Sequence, residues 1–244
     1  MRNIVVTGGS RGLGLGIAKR LAGAGYSVIA VARGESDGLA AAIAEAGKTG
    51  TGALHFAPFD LAETDAIPAF AAELRKSFGG VYGLVNNAGI GTSGMLANMH
   101  NSQIESLIRL NTLAPIVLTK YLVRSMMAEG EGRIVNIASI VASNGYSGLS
   151  VYSATKASLV GFTRSLAREV GKVGVTVNAI APGFMETDMT HGMDDTQHTR
   201  LVRRSALRRL AEVDDVAQSV EYLLGDAGRN ITGTLITIDA GSTT

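Results

Sequence analysis

The chain has 244 residues, of which 46% are hydrophobic and 18% are charged, and its formal net charge is +1. This length suits one globular α/β domain, and the charge does not favour binding to nucleic acid or to anionic membranes. The chain has no cysteine, which excludes disulfides and thiolate metal sites, and its four histidines lack metal-ligand spacing. No apolar run reaches 18 residues and the chain starts close to an apolar strand. We therefore expect a cytoplasmic protein without a membrane span or signal peptide.

Short runs rich in β-branched residues alternate with longer helical patterns along the chain. The predicted strands are residues 4–7, 27–31, 54–59, 83–86, 132–137, 175–180 and 234–239, and the clearest predicted helices are 13–24, 64–78, 102–129, 152–170 and 213–224. Apolar runs such as Val-Ile-Ala-Val at 28–31 predict strands that are buried on both faces. The alternation predicts an α/β fold in which residues 1–244 form one domain, a doubly wound parallel sheet of about seven strands with helices on both faces.

One segment interrupts this alternation. Residues 187–211 contain no predicted strand, and their pattern is irregular or helical. They follow the carboxyl end of a predicted strand, where ligands bind in open α/β sheets. We therefore expect a substrate lid at about residues 187–211.

A glycine-rich loop joins the first predicted strand to the first predicted helix. Residues 7–14 are Thr-Gly-Gly-Ser-Arg-Gly-Leu-Gly, which contains the spacing Gly-x-x-x-Gly-x-Gly. Glycine lets the backbone approach a diphosphate closely, and the helix start offers free N–H groups and a positive dipole end to the anion. The loop predicts a Rossmann-type dinucleotide site. Its candidate cofactor-binding residues are Gly8, Ser10, Arg11, Gly12, Leu13 and Gly14.

The end of the second predicted strand indicates which dinucleotide binds. A carboxylate at this place would bind the ribose hydroxyls of NAD, but this chain has Ala32 and Arg33 there. Arg33 and Arg11 can both meet a 2′-phosphate through charge-assisted hydrogen bonds, so NADP(H) is the predicted cofactor. Glu35 is close by in the sequence and leaves contact with the ribose open as an alternative.

Further motifs resemble those of the short-chain dehydrogenase/reductase family. They are Asn-Asn-Ala-Gly at 86–89, Asn111, Ser139 followed thirteen residues later by Tyr152-x-x-x-Lys156, and Pro-Gly at 182–183 with Thr187. With the glycine-rich loop, these ordered motifs span nearly the whole chain, from residue 4 to about residue 241. The resemblance implies hydride transfer between a carbonyl and an alcohol by a nicotinamide cofactor. Within the family, the chain most resembles the 3-oxoacyl-acyl-carrier-protein reductases.

The resemblance also implies roles for individual residues. The catalytic set would be Asn111, Ser139, Tyr152 and Lys156, in which Lys156 also holds the nicotinamide ribose and Asn111 supports a water-linked proton path. Asp60 would meet the adenine together with the backbone of Leu61. The other cofactor contacts would come from Asn87, Ala88 and Gly89 under the ribose and nicotinamide, and from Pro182, Gly183, Met185 and Thr187 beside the carboxamide.

The residue types are suited to proton transfer independently of this resemblance. Tyr152 and Lys156 are four residues apart on a predicted helix, which places both on one face. Because an ammonium favours the phenolate, we expect Lys156 to lower the pKa of Tyr152 from its usual value near 10. Ser139 follows a predicted strand and can donate a hydrogen bond to the same substrate oxygen, which stabilises a developing alkoxide.

The substrate is defined less sharply than the reaction. The resemblance implies NADPH-dependent reduction of a 3-oxoacyl thioester on an acyl carrier protein or CoA, as in fatty acid biosynthesis. Arg200, Arg203 and Arg204 in the lid segment are candidates to receive an acidic carrier or a phosphopantetheine arm. Carrier-protein reductases often have a basic residue just before position 132, where this chain has Glu-Gly-Glu at 129–131. Reduction of a small soluble ketone therefore stays open. A non-catalytic NADP-binding sensor is a separate alternative, against which the intact set of Ser139, Tyr152 and Lys156 argues.

The predicted helix that carries Tyr152 has small or apolar residues on nearly all of its faces. They include Ala154, Ala157, Ser158, Gly161 and Ser165. A helix with this pattern is buried on more than its sheet side, and a second subunit in a two-fold contact would cover the surplus face. Members of the family that the chain resembles usually form tetramers, so we expect a homotetramer.

Overall fold

A seven-stranded sheet lies at the centre of the computed structural model, which describes residues 1–185 and 195–244. Its strands are β1 (Asn3–Thr7), β2 (Ser27–Ala32), β3 (Ala53–Pro58), β4 (Val81–Asn86), β5 (Gly132–Ile137), β6 (Val175–Pro182) and β7 (Leu235–Ile238). They lie in the order β3-β2-β1-β4-β5-β6-β7, and all neighbours are parallel. The predicted doubly wound sheet is confirmed.

Helices cover both faces of this sheet. In the described part of the chain they are α1 (Gly12–Gly23), α2 (Asp37–Thr49), α3 (Ile67–Phe78), α4 (Asn101–Ile108), α5 (Ala114–Glu129), α6 (Val141–Asn144), α7 (Ser150–Val170), α8 (Asp195–Arg204) and α9 (Val213–Leu224). One hydrophobic core lies between the sheet and α1, α2 and α9, and the second lies between the sheet and α3, α5 and α7. Every residue of β4, β5 and β6 is buried, as their apolar composition predicts.

The strand order creates a crevice at one edge of the sheet. The chain runs outward from β1 through β2 to β3 and then returns to place β4 on the other side of β1. Helices leave β1 and β4 on opposite faces, so their carboxyl ends diverge and leave room for a ligand. The candidate cofactor loop and the Asn-Asn-Ala-Gly motif follow these two strands.

The predicted helix 102–129 is wrong at its centre, because a π-helical turn at Arg109–Leu113 separates α4 from α5. Pro115 stands in the first turn of α5 and has no N–H to donate to the carbonyl of Asn111. The proline ring also crowds this carbonyl, and the wider π-helical turn relieves that contact. The turn carries Asn111, one of the predicted catalytic residues.

The predicted lid coincides in part with α8. Residues 186–194 lie outside the described residues, so the lid stays a prediction. Helix α8 is followed by Ser205, whose buried hydroxyl donates to the carbonyl of Ala240.

None of the helices in residues 1–185 and 195–244 is both long enough and apolar enough to cross a membrane.

Candidate active site

The loop between β1 and α1 is tightly folded around two of its glycines. Gly8 has a φ of 66°, and its N–H donates to the carbonyl of Val31 on β2 over 2.8 Å. A Cβ atom on Gly14 would lie 2.1 Å from the carbonyl oxygen of Gly8, so no other residue fits there. In contrast, a Cβ on Gly12 would meet nothing within 4 Å, because Gly12 borders open space.

This open space lies at the amino end of α1, where a diphosphate would fit. Arg11 is the N-cap residue of α1, no side chain caps the helix, and its first turn contains no acidic residue. The backbone N–H groups of the first turn are therefore available to an anion. Ser10 is held in place because the hydroxyl of Ser36 donates to its carbonyl. The cradle suits the predicted dinucleotide.

Thr7 joins the glycine-rich loop to the segment after β4. Its buried hydroxyl accepts hydrogen bonds from the N–H groups of Asn87 and Ala88, each over 3.0 Å, and donates to Val85 over 3.2 Å. The side chain of Asn87 donates to the carbonyl of Thr7 over 2.9 Å. These bonds fix the floor of the crevice. Sequence analysis missed Thr7, although a polar residue that ends a buried strand is a signal of such a role.

The predicted adenine end of the site lies at the carboxyl ends of β2 and β3. Arg33 and Glu35 are both exposed here, so either side chain can turn toward a ligand. Asp60 accepts a hydrogen bond from the N–H of Ala62 over 2.9 Å, which holds the turn after β3. The side chain of Leu61 is buried in the core, so it offers a ligand only its backbone.

The end of β6 supplies the other wall. Pro182 is the last residue of this strand, and the N–H of Gly183 donates to Ile238 of β7 over 2.8 Å. A Cβ on Gly183 would lie 2.7 Å from that of Asp239, so only glycine fits this contact. Met185 is buried in the core beneath this wall. The predicted contact of Thr187 lies outside the described residues.

Tyr152 and Ser139 meet at the carboxyl edge of β5. Ser139 lies two residues beyond β5, Tyr152 lies in the first turn of α7, and the hydroxyl of Ser139 is close enough to the phenol of Tyr152 to influence its pKa. Burial raises the pKa of Tyr152 above its usual value, and the hydroxyl of Ser139 acts in the opposite direction. The expectation that Lys156 lowers this pKa is wrong for this structure, because the loss of solvation outweighs other influences.

Lys156 is buried beside them, with only 4% of its surface exposed. Its Nζ atom lies 5.7 Å from the centre of the Tyr152 ring and donates to the carbonyl of Ile137 over 2.9 Å. Burial lowers the pKa of Lys156 to about 8, so at neutral pH the ammonium form still predominates. Sequence analysis could not find Ile137 as a partner, because it contributes only a backbone carbonyl.

Asn111 approaches the same point from the π-helical turn. Its Oδ1 accepts from the N–H of Ile90 and its Nδ2 donates to the carbonyl of Ile90, each over 2.9 Å. Nδ2 also donates to the hydroxyl of Thr155 over 3.2 Å, and that hydroxyl donates to the carbonyl of Tyr152 over 2.7 Å. Thr155 therefore connects two predicted catalytic residues, a role that the sequence pattern did not indicate.

Gly89 shows how close these groups are. A Cβ atom on Gly89 would lie 3.1 Å from Oδ1 of Asn111 and 3.5 Å from Nζ of Lys156. The four predicted catalytic side chains thus lie at the carboxyl ends of β4 and β5, beside the crevice. They bring a phenol, a hydroxyl and an ammonium close together. Groups of these types can transfer a proton to or from a substrate oxygen and stabilise its charge. In residues 1–185 and 195–244, no group of three His, Asp or Glu side chains is arranged to hold a metal ion.

The fold is that of a dinucleotide-binding α/β protein, and the site places Tyr152, Lys156 and Ser139 near one another at the carboxyl edge of the sheet. Residues 2–198 match the family model described as short chain dehydrogenase. The chain belongs to the short-chain dehydrogenase family of oxidoreductases.

Curated relatives extend this match over nearly the whole chain. The chain is 37% identical over 238 residues to 3-oxoacyl-[acyl-carrier-protein] reductase FabG of Escherichia coli (strain K12), covering 97% of this chain and 95% of the relative. It is 37% identical over 237 residues to the reductase of the same name from Haemophilus influenzae, covering 97% of this chain and 96% of the relative. The resemblance to this group of reductases is confirmed.

Solved structures share the fold over its full length. A blue fluorescent protein from a metagenomic library, solved in complex with NADPH, superposes with a TM-score of 0.92 at 33% identity, covering 100% of this chain and 98% of the other. A short chain dehydrogenase from Burkholderia cenocepacia J2315, solved in complex with NADP, superposes with a TM-score of 0.91 at 34% identity and the same coverage.

Proposed function

We propose that this protein is an NADPH-dependent ketoreductase that reduces a 3-oxoacyl thioester to the 3-hydroxyacyl form. The observation that carries the proposal is the contact of Tyr152 with Ser139, beside Lys156, at the sheet edge that also bears the glycine-rich loop. The curated relatives are named as 3-oxoacyl-[acyl-carrier-protein] reductases, which supports the substrate class. An acyl carrier protein or CoA would carry the acyl group.

The residues present fit NADP(H). The amino end of α1 and Gly12 would hold the diphosphate, and the exposed Arg33, together with Arg11, would meet a 2′-phosphate. Two solved relatives are complexes with NADPH or NADP, which supports the same choice. Bound NADPH would supply the hydride, and this chain's own residues would orient the ketone and manage its proton.

Tyr152 is suited to act as the general acid. Because burial raises the pKa of Tyr152, its phenol keeps its proton at neutral pH and can give it to a carbonyl oxygen that is gaining negative charge. Ser139 can donate a second hydrogen bond to that oxygen. The ammonium of Lys156 would then lie beside the phenolate that remains and stabilise it.

Removal of the phenol hydroxyl tests this mechanism. We expect Tyr152→Phe to lower kcat for acetoacetyl-CoA at least about 100-fold, because a positioned general acid contributes roughly that much or more. NADPH oxidation measures turnover, and titration with NADPH and with NADH measures cofactor binding and choice. Binding of NADPH should be unchanged in the variant.

Two outcomes would contradict the proposal in different ways. If Tyr152→Phe keeps its turnover, Tyr152 is not the acid. If the unaltered protein binds NADPH but reduces neither the thioester nor a panel of small ketones, it is a sensor, the non-catalytic alternative. Reduction of small ketones without the thioester would place it among ketone reductases of another substrate class.

The proposed enzyme would work as a cytoplasmic homotetramer. Ala154, Ala157 and Gly161 on α7 are exposed in the single chain, as a face that meets another subunit would be. Exposed apolar side chains of Ile108 and Leu113 stand at the π-helical turn beside α7 and support the same proposal.

A further inference from the structure

A pocket opens next to the catalytic residues, and most of its wall is apolar. Its apolar lining is formed by Ile140, Val141, Tyr146, Phe184, Leu201 and Leu210. Ile140 and Val141 directly follow Ser139, and together with Phe184 they pack in one cluster with the ring of Tyr152. The pocket therefore shares its wall with the general acid, and a ketone held at Tyr152 has this space beside it.

Two charged side chains also line the pocket, and among the described residues only one of them has hydrogen-bond partners. Asp239 is buried, and its carboxylate accepts hydrogen bonds from the N–H of Gly241 over 2.9 Å and the hydroxyl of Ser242 over 3.1 Å. Burial alone would raise the pKa of Asp239, but these bonds and those from Thr243 hold it below its usual value. The carboxylate is thus charged and already occupied.

Arg204 is the other charged group. It lies in the last turn of α8, lines the pocket with an exposed side chain, and forms no hydrogen bond or ion pair with any described residue. Its backbone is fixed, because the three residues that follow it bond to the turn after β7: Ser205 and Leu207 donate to Ala240, and Ala206 donates to Gly241. A guanidinium that lies at a pocket and has no partner in residues 1–185 and 195–244 can receive an oxyanion.

We propose that Arg204 determines substrate choice by binding an oxyanion attached to the ketone, either the phosphate of a phosphopantetheine thioester or the carboxylate of a keto acid. This inference rests on the proposed reductase function. Neither Arg200 nor Arg203 lines the pocket. The backbone carbonyl of Arg203 accepts a hydrogen bond from the side chain of Arg208. The structure thus distinguishes one arginine among three that the sequence presents as equals.

The test compares substrates that differ only in the anion. Acetoacetyl-phosphopantetheine and acetoacetyl-pantetheine have the same thioester, and acetoacetate and acetoacetamide form the corresponding pair for a carboxylate. We expect Arg204→Gln to raise KM for one anionic substrate about tenfold, since a charge-assisted hydrogen bond is worth that much. KM for its neutral partner, and kcat for both, should change less than about twofold. Arg204→Lys should restore part of the affinity, and Arg203→Gln is the matched control.

The outcomes separate the proposals from each other. A rise in KM for acetoacetyl-phosphopantetheine alone identifies a phosphopantetheine arm. A rise in KM for acetoacetate alone identifies a keto acid. If Arg204→Gln affects anionic and neutral substrates equally, or affects neither, or if Arg203→Gln gives the same effect, the role of Arg204 is wrong and the reductase function stands. If the unaltered protein, with NADPH bound, reduces none of the four substrates, the proposed function and this inference both fail.

Discussion

At the scale of single residues, the site depends on a buried lysine that has no carboxylate partner in the described part of the chain. The ammonium of Lys156 is held by the carbonyl of Ile137 and lies near the ring of Tyr152. Neither contact fully replaces the lost water, so burial lowers the pKa of Lys156 to about 8. Keeping a charge at this position therefore costs the fold free energy, as is common where a residue is retained for chemistry.

This cost predicts how stability depends on pH. The folded-state pKa of Lys156 is about 8 and the unfolded value is 10.5, so between these pH values the unfolded chain binds more protons. Stability from this group must rise with pH across that window. In the cofactor-free protein we expect the free energy of unfolding to gain about 1 kcal/mol from Lys156 between about pH 7 and about pH 9. Urea unfolding at both pH values measures it.

Lys156→Met isolates the contribution of this side chain. The variant should be at least as stable as the unaltered protein at about pH 7, and its stability should gain about 1 kcal/mol less toward about pH 9. An identical pH dependence in both proteins would show that Lys156 is not the group responsible.

The residues of the site could be predicted, but not their energetics. Ser139, Tyr152 and Lys156 were identified because their motifs resemble the catalytic set of the family, and the structure brings them together. The direction of the pKa shift of Tyr152 could not be obtained in this way, because it depends on how deeply the surrounding side chains bury the phenol. Thr155 was missed because its hydrogen bond with Asn111 connects elements that are distant in the chain.

At the scale of elements, two glycines of α1 have different surroundings, close at its amino end and open to solvent at Gly23. A Cβ on Gly14 would lie 2.1 Å from the carbonyl oxygen of Gly8 and 2.5 Å from the side-chain nitrogen of Asn87. Gly23, in the last turn of the same helix, has nothing within 4 Å of its Cβ position. Two glycines in one helix therefore have different reasons to be there.

This contrast gives a matched pair of variants. We expect Gly14→Ala to lower the free energy of unfolding by about 2 kcal/mol and to weaken NADPH binding, because backbone atoms must move to admit the methyl group. Gly23→Ala should leave both unchanged or raise stability by up to about 1 kcal/mol, since alanine favours helix. Thermal unfolding with and without NADPH measures both effects. Equal losses in the two variants would contradict the close contact.

The existence and type of the regular elements were predictable, and the interruption at Arg109–Leu113 was not. The apolar pattern of residues 213–224 predicts α9 with its observed bounds, because one face of this helix is buried along its whole length. The pattern of residues 102–129 predicts one helix, since a π-helical turn adds a residue without ending the apolar face. Pro115 was the available signal, but proline is also tolerated in the first turn of a helix.

At the scale of the whole molecule, α7 has one face on the sheet and an opposite face of small side chains in the open. Leu159, Leu166 and Val170 are buried in the chain, whereas Ala157 and Gly161 are exposed. In the predicted assembly this exposed face would contact another subunit. Nothing in the described fold of a single chain explains why the face consists of small side chains. The lid at 187–211 and the homotetramer stay predictions, because they depend on residues and partners beyond the described chain.

A charged residue on this face tests the assembly. The Cβ position of Gly161 meets nothing within 4 Å, so Gly161→Glu should not disturb the single chain, and it improves helix propensity. We expect sedimentation to show a mass of four chains for the unaltered protein, with 25.2 kDa each, and a smaller assembly for the variant. Gly47→Glu on α2, also at an open position, should keep the full mass. An unchanged mass in both variants would exclude this face.

The π-helical turn has a consequence for how this chain can tolerate insertions and deletions. In a helix each residue turns the chain by about 100°, so removing one residue from Arg109–Leu113 would rotate α4 and α5 against each other. Asn111 would then no longer face Ile90 and Thr155. The length of this turn therefore sets the direction of the Asn111 side chain, and a one-residue change of length would turn that side chain away from the predicted catalytic set.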